Sequence, residues 1–463
     1  MVFSSVIFMY FFLPCALLFY YVSPKRFKNV VLLAAGLFFY AWGEPIYVLL
    51  MLVTTTVDYL AGLLIHKYDA QPKKRTMALL GSLIINLGIL FIFKYSGFVA
   101  GIFGIEIKEL PLPVGISFYT FQSISYTIDM YRRNIKVQKS FLNYATYVTL
   151  FPQIVAGPIV RYELVENEIN ERKINILLVG KGAGTFIKGL VKKVFLANNI
   201  GMLWTEIKAM ENGEMSILTA WLGILAFTFQ IYYDFSGYSD MAIGLGKMLG
   251  FNFPENFRHP YISRSISEFW RRWHITLGSW FRNYVYIPLG GNRKGKAKTI
   301  RNLIIVWGLT GLWHGASWNF IIWGLYFGLI IILEKLFLGK YLEKVRPWIS
   351  TAYTFILVVF GWVLFDTETL PDALSYFAAM FGGGAGFIDS FALYELKNYL
   401  LLFVLCILGS TEIFRKAVKY LHRNAVTSKL VYIVTPVVQA AALLVCTSYL
   451  VDATYNPFLY FNF

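Results

Sequence analysis

Gly311-Leu312-Trp313-His314-Gly315-Ala316-Ser317-Trp318 is set between two apolar runs, residues 303–309 and 320–333. The flanking runs place the histidine at membrane depth. An ionisable side chain in a bilayer is costly, and it marks either function or a buried partner. Gly311 and Gly315 bracket His314. Without Cβ atoms they let backbone pass close and leave room for a substrate. The plainer reading is a helix-packing glycine pair around a hydrogen-bonded core histidine.

The rest of the chain has the same character. Of its 463 residues, 57% are hydrophobic and 15% charged, against roughly 25% charged in soluble domains. Apolar runs of spanning length recur from end to end, which defines an all-α polytopic membrane protein. Residues 2–22 have neither a basic start nor a small-residue cleavage site, so they read as a retained first span. The net charge of +16 would suggest nucleic acid in a soluble protein. Here the basic residues fall in short loops and carry the topology signal instead. Cys15, Cys406 and Cys446 lie inside apolar runs, and the five histidines have no ligand spacing; neither a disulfide framework nor a metal site is indicated. With no internal repeat or linker, residues 1–463 form one domain, with a core at about 114–335 and an aromatic tail at 452–463.

Basic loops at 25–28, 66–75, 132–139, 293–301, 340–346 and 415–429 alternate with acidic loops near 106–109, 206–214 and 366–389. By the positive-inside rule the basic loops are cytoplasmic and both termini external, with eleven or twelve crossings. Residues 114–130 are too polar to face lipid and cross only if shielded by protein. Phe151-Pro152-Gln153-Ile154-Val155-Ala156-Gly157-Pro158 reads as a broken, re-entrant element. The lysines 181, 188, 192 and 193 place the start of 174–204 along the cytoplasmic interface.

Three further stretches carry chemistry. Tyr232-Tyr233-Asp234-Phe235-Ser236-Gly237-Tyr238-Ser239-Asp240 follows a span and is either the hydrogen-bonded wall of a polar cavity or a helix break with its own caps. In 265–291, read as one helix, Trp270, His274, Leu277 and Phe281 share a face. A structural, hydrogen-bonded His274 and a catalytic one both fit that placement. Arg271, Arg272 and Arg282 make a basic rim beside Trp270 and Trp273, suited to the phosphates of coenzyme A, to an acidic carrier protein, or to anionic lipid headgroups. The chain ends Asn456-Pro457-Phe458-Leu459-Tyr460-Phe461-Asn462-Phe463, an interfacial aromatic belt or a tail that returns to a cavity.

These stretches, in this order, resemble the membrane-bound O-acyltransferases of the alginate O-acetylation (AlgI-like) branch. The resemblance runs nearly full length: Val2-Phe3-Ser4-Ser5, 151–158, 233–240, His259-Pro260-Tyr261, 268–274 and Leu312-Trp313-His314-Gly315 all take part. It implies a ring of about 11–12 tilted helices, with re-entrant and interfacial helices, around a central channel. It places the family histidine on His314 and the second catalytic position on His274. Trp313, Asn319, Asp234, Ser236, Tyr238 and Asp240 are then expected to line the channel. The resemblance further implies an acetyl-CoA or carrier-protein thioester donor, no metal, and a bacterial inner-membrane location. An acyl-Tyr460 relay, an external SGNH-type partner and an extracellular polysaccharide acceptor complete the expectation. The rivals are a branch acylating lipid or protein directly, and a transporter or channel subunit without chemistry.

Overall fold

The computed structural model describes residues 1–108, 110–155, 157–452 and 459; Tyr460 lies outside the described residues. Among these the chain is helical, with no strand. A helix satisfies its backbone N–H and C=O groups internally, as hydrocarbon surroundings require. Seven helices are long and apolar enough to cross a membrane: Tyr47–Lys67, Pro72–Ile102, Ile217–Met248, Trp318–Leu342, Pro347–Asp366, Ser390–Gly409 and Ala425–Asp452. A shorter apolar helix covers Phe8–Val22. Other segments expected to cross are shorter or interrupted, including Lys28–Ala41, Ile116–Tyr131 and Phe141–Thr149.

The chain divides into two compact units, Met1–Phe186 with Tyr238–Glu255, and Ile187–Gly237 with Asn256–Phe463. In the first, Tyr47–Lys67 packs on Pro72–Leu90 and on Ile116–Tyr131. Ile116–Tyr131 is buried along almost its whole length, as its polar sequence requires. Fully buried Asp58 accepts hydrogen bonds from Ser82 Oγ at 2.5 Å and Asn86 Nδ2 at 2.8 Å. The element at 151–158 is broken as expected: Phe141–Thr149 stops at Leu150, whose ψ of 107° is extended, and Phe151–Ile154 restarts with Pro152 in its first turn. Proline is at home there because that N–H has no intrahelical acceptor. Tyr238 is buried and stacks on Phe3 at 4.4 Å.

The second unit has an aromatic core that includes Trp323, Phe327, Trp362 and Phe365. Ile217–Met248 is one unbroken helix, so the polar run 232–240 neither follows a span nor breaks a helix. A break was one of the two readings of this run, because Asp and Ser favour caps. Burial overrides that preference: 78% of the helix's most apolar window is enclosed by protein, and its polar side chains find partners there. Ala425–Asp452 is the opposite case, with 6% of its window buried; its side chains are left to lipid.

Candidate active site

His314 is the last residue of the helix Lys296–His314. The helix stops because Gly315 is extended, at φ −166° and ψ 152°. The chain then turns through Ser317 into Trp318–Leu333, and the two helices pack backbone to backbone. A Cβ on Gly311 would lie 2.1 Å from the Phe320 carbonyl oxygen, and one on Gly324 would lie 2.3 Å from that of Trp307. Close approach through small residues is how membrane helices gain contact when lipid offers no hydrophobic drive. A Cβ on Gly315 would meet the Phe320 ring at 2.1 Å. The glycines therefore make room for Phe320, and the substrate space expected beside them is filled. His314 is 3% exposed. Its ring is edge-on to Trp313 at 5.0 Å, Trp323 at 4.9 Å and Phe365 at 5.4 Å.

The stretch 265–291 is not one helix. Ile266–Arg272 and Ile275–Phe281 are separated by extended Trp273 and by His274 in the left-handed region, at φ 44° and ψ 53°. Such a conformation costs a non-glycine residue about 1–3 kcal/mol and needs its surroundings to hold it. Two distant side chains do so. Glu334 accepts from Ile266 N at 2.7 Å, Ser267 N at 2.9 Å and Ser267 Oγ at 2.7 Å, which satisfies the start of the first helix. Asn256 Oδ1 accepts from Thr276 N at 3.1 Å and Thr276 Oγ1 at 2.8 Å, and it faces His274 Nδ1 at 3.2 Å. Because a backbone N–H donates to it, this atom is the carbonyl oxygen. The facing Nδ1 therefore carries a proton.

A cavity of about 630 Å³ opens beside these helices. Trp270, Arg271, His274, Arg282, Thr310 and Lys335 are among its lining residues. Trp270, Arg271 and Arg282 thus meet His274 around one space, although the helix that was to align them is broken. Three cationic side chains and an apolar floor suit an anionic ligand with an apolar part. Thr310 lies one turn before His314 on the same helix. Trp313 touches both imidazoles, at 6.1 Å from His274 and 5.0 Å from His314 between ring centroids.

Other expected residues are placed elsewhere. Arg272 points away and pairs with Glu268 at 2.7 Å. Trp273, 2% exposed, packs in the aromatic core. Asn319 Nδ2 donates to the Thr367 carbonyl at 2.7 Å, tying together two helix ends. Asp234 is buried against Lys193 at 2.5 Å, so Lys193 is a core residue and not an interfacial one. Lys192 Nζ donates to Ser236 Oγ at 3.4 Å. Tyr238 and Asp240 belong to the first unit. Asn256 and Glu334 carried no sequence signal, since each acts on residues far along the chain; Thr310 and Lys335 enter only as cavity lining.

Residues 132–365 match the profile of MBOAT, the membrane-bound O-acyltransferase family. The chain belongs to the membrane-bound O-acyltransferase family. It is an acyltransferase and a multi-pass membrane protein. It is 43% identical over 395 residues to the protein named "Probable alginate O-acetylase AlgI" of Pseudomonas putida, covering 83% of this chain and 81% of that one. It is 34% identical over 426 residues to the peptidoglycan O-acetyltransferase of Helicobacter pylori, covering 82% and 80%. It is 29% identical over 260 residues to the teichoic acid D-alanyltransferase of Bacillus subtilis, covering 53% and 64%. The family profile takes in both histidines and the whole cavity lining, and it ends at Phe365 in the aromatic box around His314.

Proposed function

We propose that this membrane-bound acyltransferase takes an acetyl group from a cytoplasmic thioester, acetyl-CoA or an acyl carrier protein, and delivers it for O-acetylation of an extracytoplasmic polysaccharide. The observation that carries the reading is the cavity in which His274, Arg271, Arg282 and Lys335 meet, with Thr310 in its lining one turn before His314. Phosphates of the donor pair with the cationic rim, and its acyl arm lies along the apolar wall beside Trp270. His274 polarises the thioester carbonyl or orients the donor. His314 takes the proton of the acceptor hydroxyl as its oxygen attacks the carbonyl carbon. The carbon–sulfur bond breaks, and the departing thiolate recovers the proton. A positioned histidine in this role contributes about 10²–10⁴-fold.

The donor is inside and the polymer outside, so the acyl group needs a carrier. Tyr460, in the tail assigned to the outer side by loop charge, is the proposed first acceptor. An SGNH-type partner then moves the acetyl group from the tyrosine ester to a sugar hydroxyl. The named acceptors of the relatives, alginate and peptidoglycan, support a glycan of the cell envelope as acceptor; the proposed location is the inner membrane. In this scheme the chain works as one domain with both termini external.

The test is purified protein in detergent with radiolabelled acetyl-CoA, comparing wild type with His314→Ala and Tyr460→Phe. Label on the wild type that is lost from both variants supports donor, base and relay together. Label that persists on Tyr460→Phe removes Tyr460 from the scheme. Neither label nor thioester loss in the wild type rules out free acetyl-CoA and leaves the carrier-protein thioester as donor.

A further inference from the structure

Lys193 and Asp234 form a buried ion pair, each 1% exposed, with Nζ 2.5 Å from Oδ1. Asp234 lies on the helix Ile217–Met248 and Lys193 on the segment Lys192–Asn198. A salt bridge this deep is poor value for stability alone, because desolvating the two charges offsets their attraction. In a membrane protein such a pair marks function by default. The second carboxylate oxygen shows what the pair holds. Asp234 Oδ2 accepts the backbone N–H of Leu459 at 3.1 Å, from 225 residues further along the chain. The Leu459 side chain packs partly buried against the same aromatic core.

We propose that Asp234, braced by Lys193, is a latch that holds the main chain at Leu459 against the protein. Lys193 fixes one oxygen, and the other oxygen grips the main chain. A charged acceptor makes the stronger kind of hydrogen bond, and a water-poor site strengthens it further. Because the grip is on a peptide N–H, it fixes the position of the chain without demanding a particular side chain at 459. The next residue in sequence is Tyr460. Asp234 is thus a positioning residue: it sets where the proposed acceptor is presented, without touching the reacting atoms. This part of the proposal rests on the acyl-tyrosine reading above; the latch itself does not.

The experiment separates the two. Full-length protein in detergent is exposed to carboxypeptidase, and the fraction that has lost residues 461–463 is followed by mass spectrometry. Leu459→Pro deletes the N–H while leaving the buried pair intact; Leu459→Ala keeps the N–H and controls for the lost side chain. Lys193→Met with Asp234→Leu removes both charges together, so that neither is left buried alone. Losing one hydrogen bond to a charged acceptor should speed trimming about tenfold or more in Leu459→Pro and in the double variant, relative to Leu459→Ala. Equal trimming of Leu459→Pro and Leu459→Ala would overturn the latch. In parallel, acetyl label on the tail should fall about tenfold in Leu459→Pro while acetyl-CoA hydrolysis is retained. Faster trimming with undiminished polymer acetylation would keep the latch and remove Tyr460 from the relay.

Discussion

Replacing Gly311 by alanine adds one methyl group at the tightest point of the site's scaffold. Its Cβ would stand 2.1 Å from the Phe320 carbonyl oxygen and 3.1 Å from the Ile321 Cα. Both are backbone atoms of the facing helix, so no side chain can swing aside. An ordinary contact needs the two helices to separate by roughly 1 Å, and a shift of that size in catalytic geometry costs about 10²-fold in rate. Overpacking destabilises by about 1–3 kcal/mol, from which the helix preference of Ala over Gly returns about 0.5–1 kcal/mol. Gly308, one turn earlier, supplies the control. A Cβ there meets only Leu325 Cδ2, at 3.9 Å, which is normal contact. We expect Gly311→Ala to insert and fold, to melt several degrees lower by tryptophan fluorescence in detergent, and to turn over thioester about 10²-fold more slowly. Gly308→Ala should match the wild type in rate and melt no lower. If Gly311→Ala turns over within threefold of Gly308→Ala, the close backbone contact does not position His314 and the reasoning fails.

Arg271 lines the cavity while Arg272 is paired with Glu268, so Arg271→Ala should raise the donor KM about tenfold by loss of a charged contact, and Arg272→Ala should leave it nearly unchanged in the same steady-state assay. Asn256→Ala removes the acceptor that fixes the His274 tautomer and should lower kcat about tenfold; Asn256→Asp, which retains an acceptor, should recover most of that loss. Asp389 caps the helix Ser390–Gly409 through the Ala392 N–H at 2.6 Å and accepts from Thr219 Oγ1 at 2.6 Å. Burial pulls its pKa up, but hydrogen bonds from Ser216, Thr219 and Ala392 more than offset this and leave it below the usual carboxylate value. Its contribution is therefore complete above the unfolded pKa and lost as pH falls through the lower folded one. Asp389→Ala should cost about 1 kcal/mol at pH 7, and the gap in melting temperature should narrow as the pH is taken below about 4.

Helical class and membrane setting were legible because each leaves a local signature: apolar runs of spanning length separated by short charged loops. The break at 151–158 was legible from its prolines. What was not legible is whatever depends on partners distant in sequence. The 265–291 stretch has the spacing of one helix, and nothing in it announces a left-handed His274. The reason lies in Asn256 and Glu334, which accept the N–H groups released at Thr276, Ile266 and Ser267. The polar run 232–240 reads equally as a cavity wall and as a break, because its caps and carboxylates suit either; Lys193, about forty residues earlier, is what lets Asp234 stay within a helix. Lys193 in turn reads as interfacial because its lysine neighbours do.

Both histidines stand at interruptions, His314 at the end of one helix and His274 between two others. A side chain within a regular helix is surrounded by its own turns, and its neighbours repeat with the helical period. At an interruption the ring meets partners from several directions, as Trp313, Trp323 and Phe365 meet His314. Irregular backbone at depth is tolerated only where protein satisfies its polar groups. That requirement explains why Glu334 and Asn256 spend their acceptors on main-chain N–H groups beside the site. Asn256 does both jobs with one oxygen: the acceptor that satisfies the broken backbone at Thr276 also orients the imidazole of His274. Fold and chemistry are therefore coupled at this atom, so a substitution that restores backbone satisfaction without presenting an acceptor to His274 should recover stability and leave activity impaired.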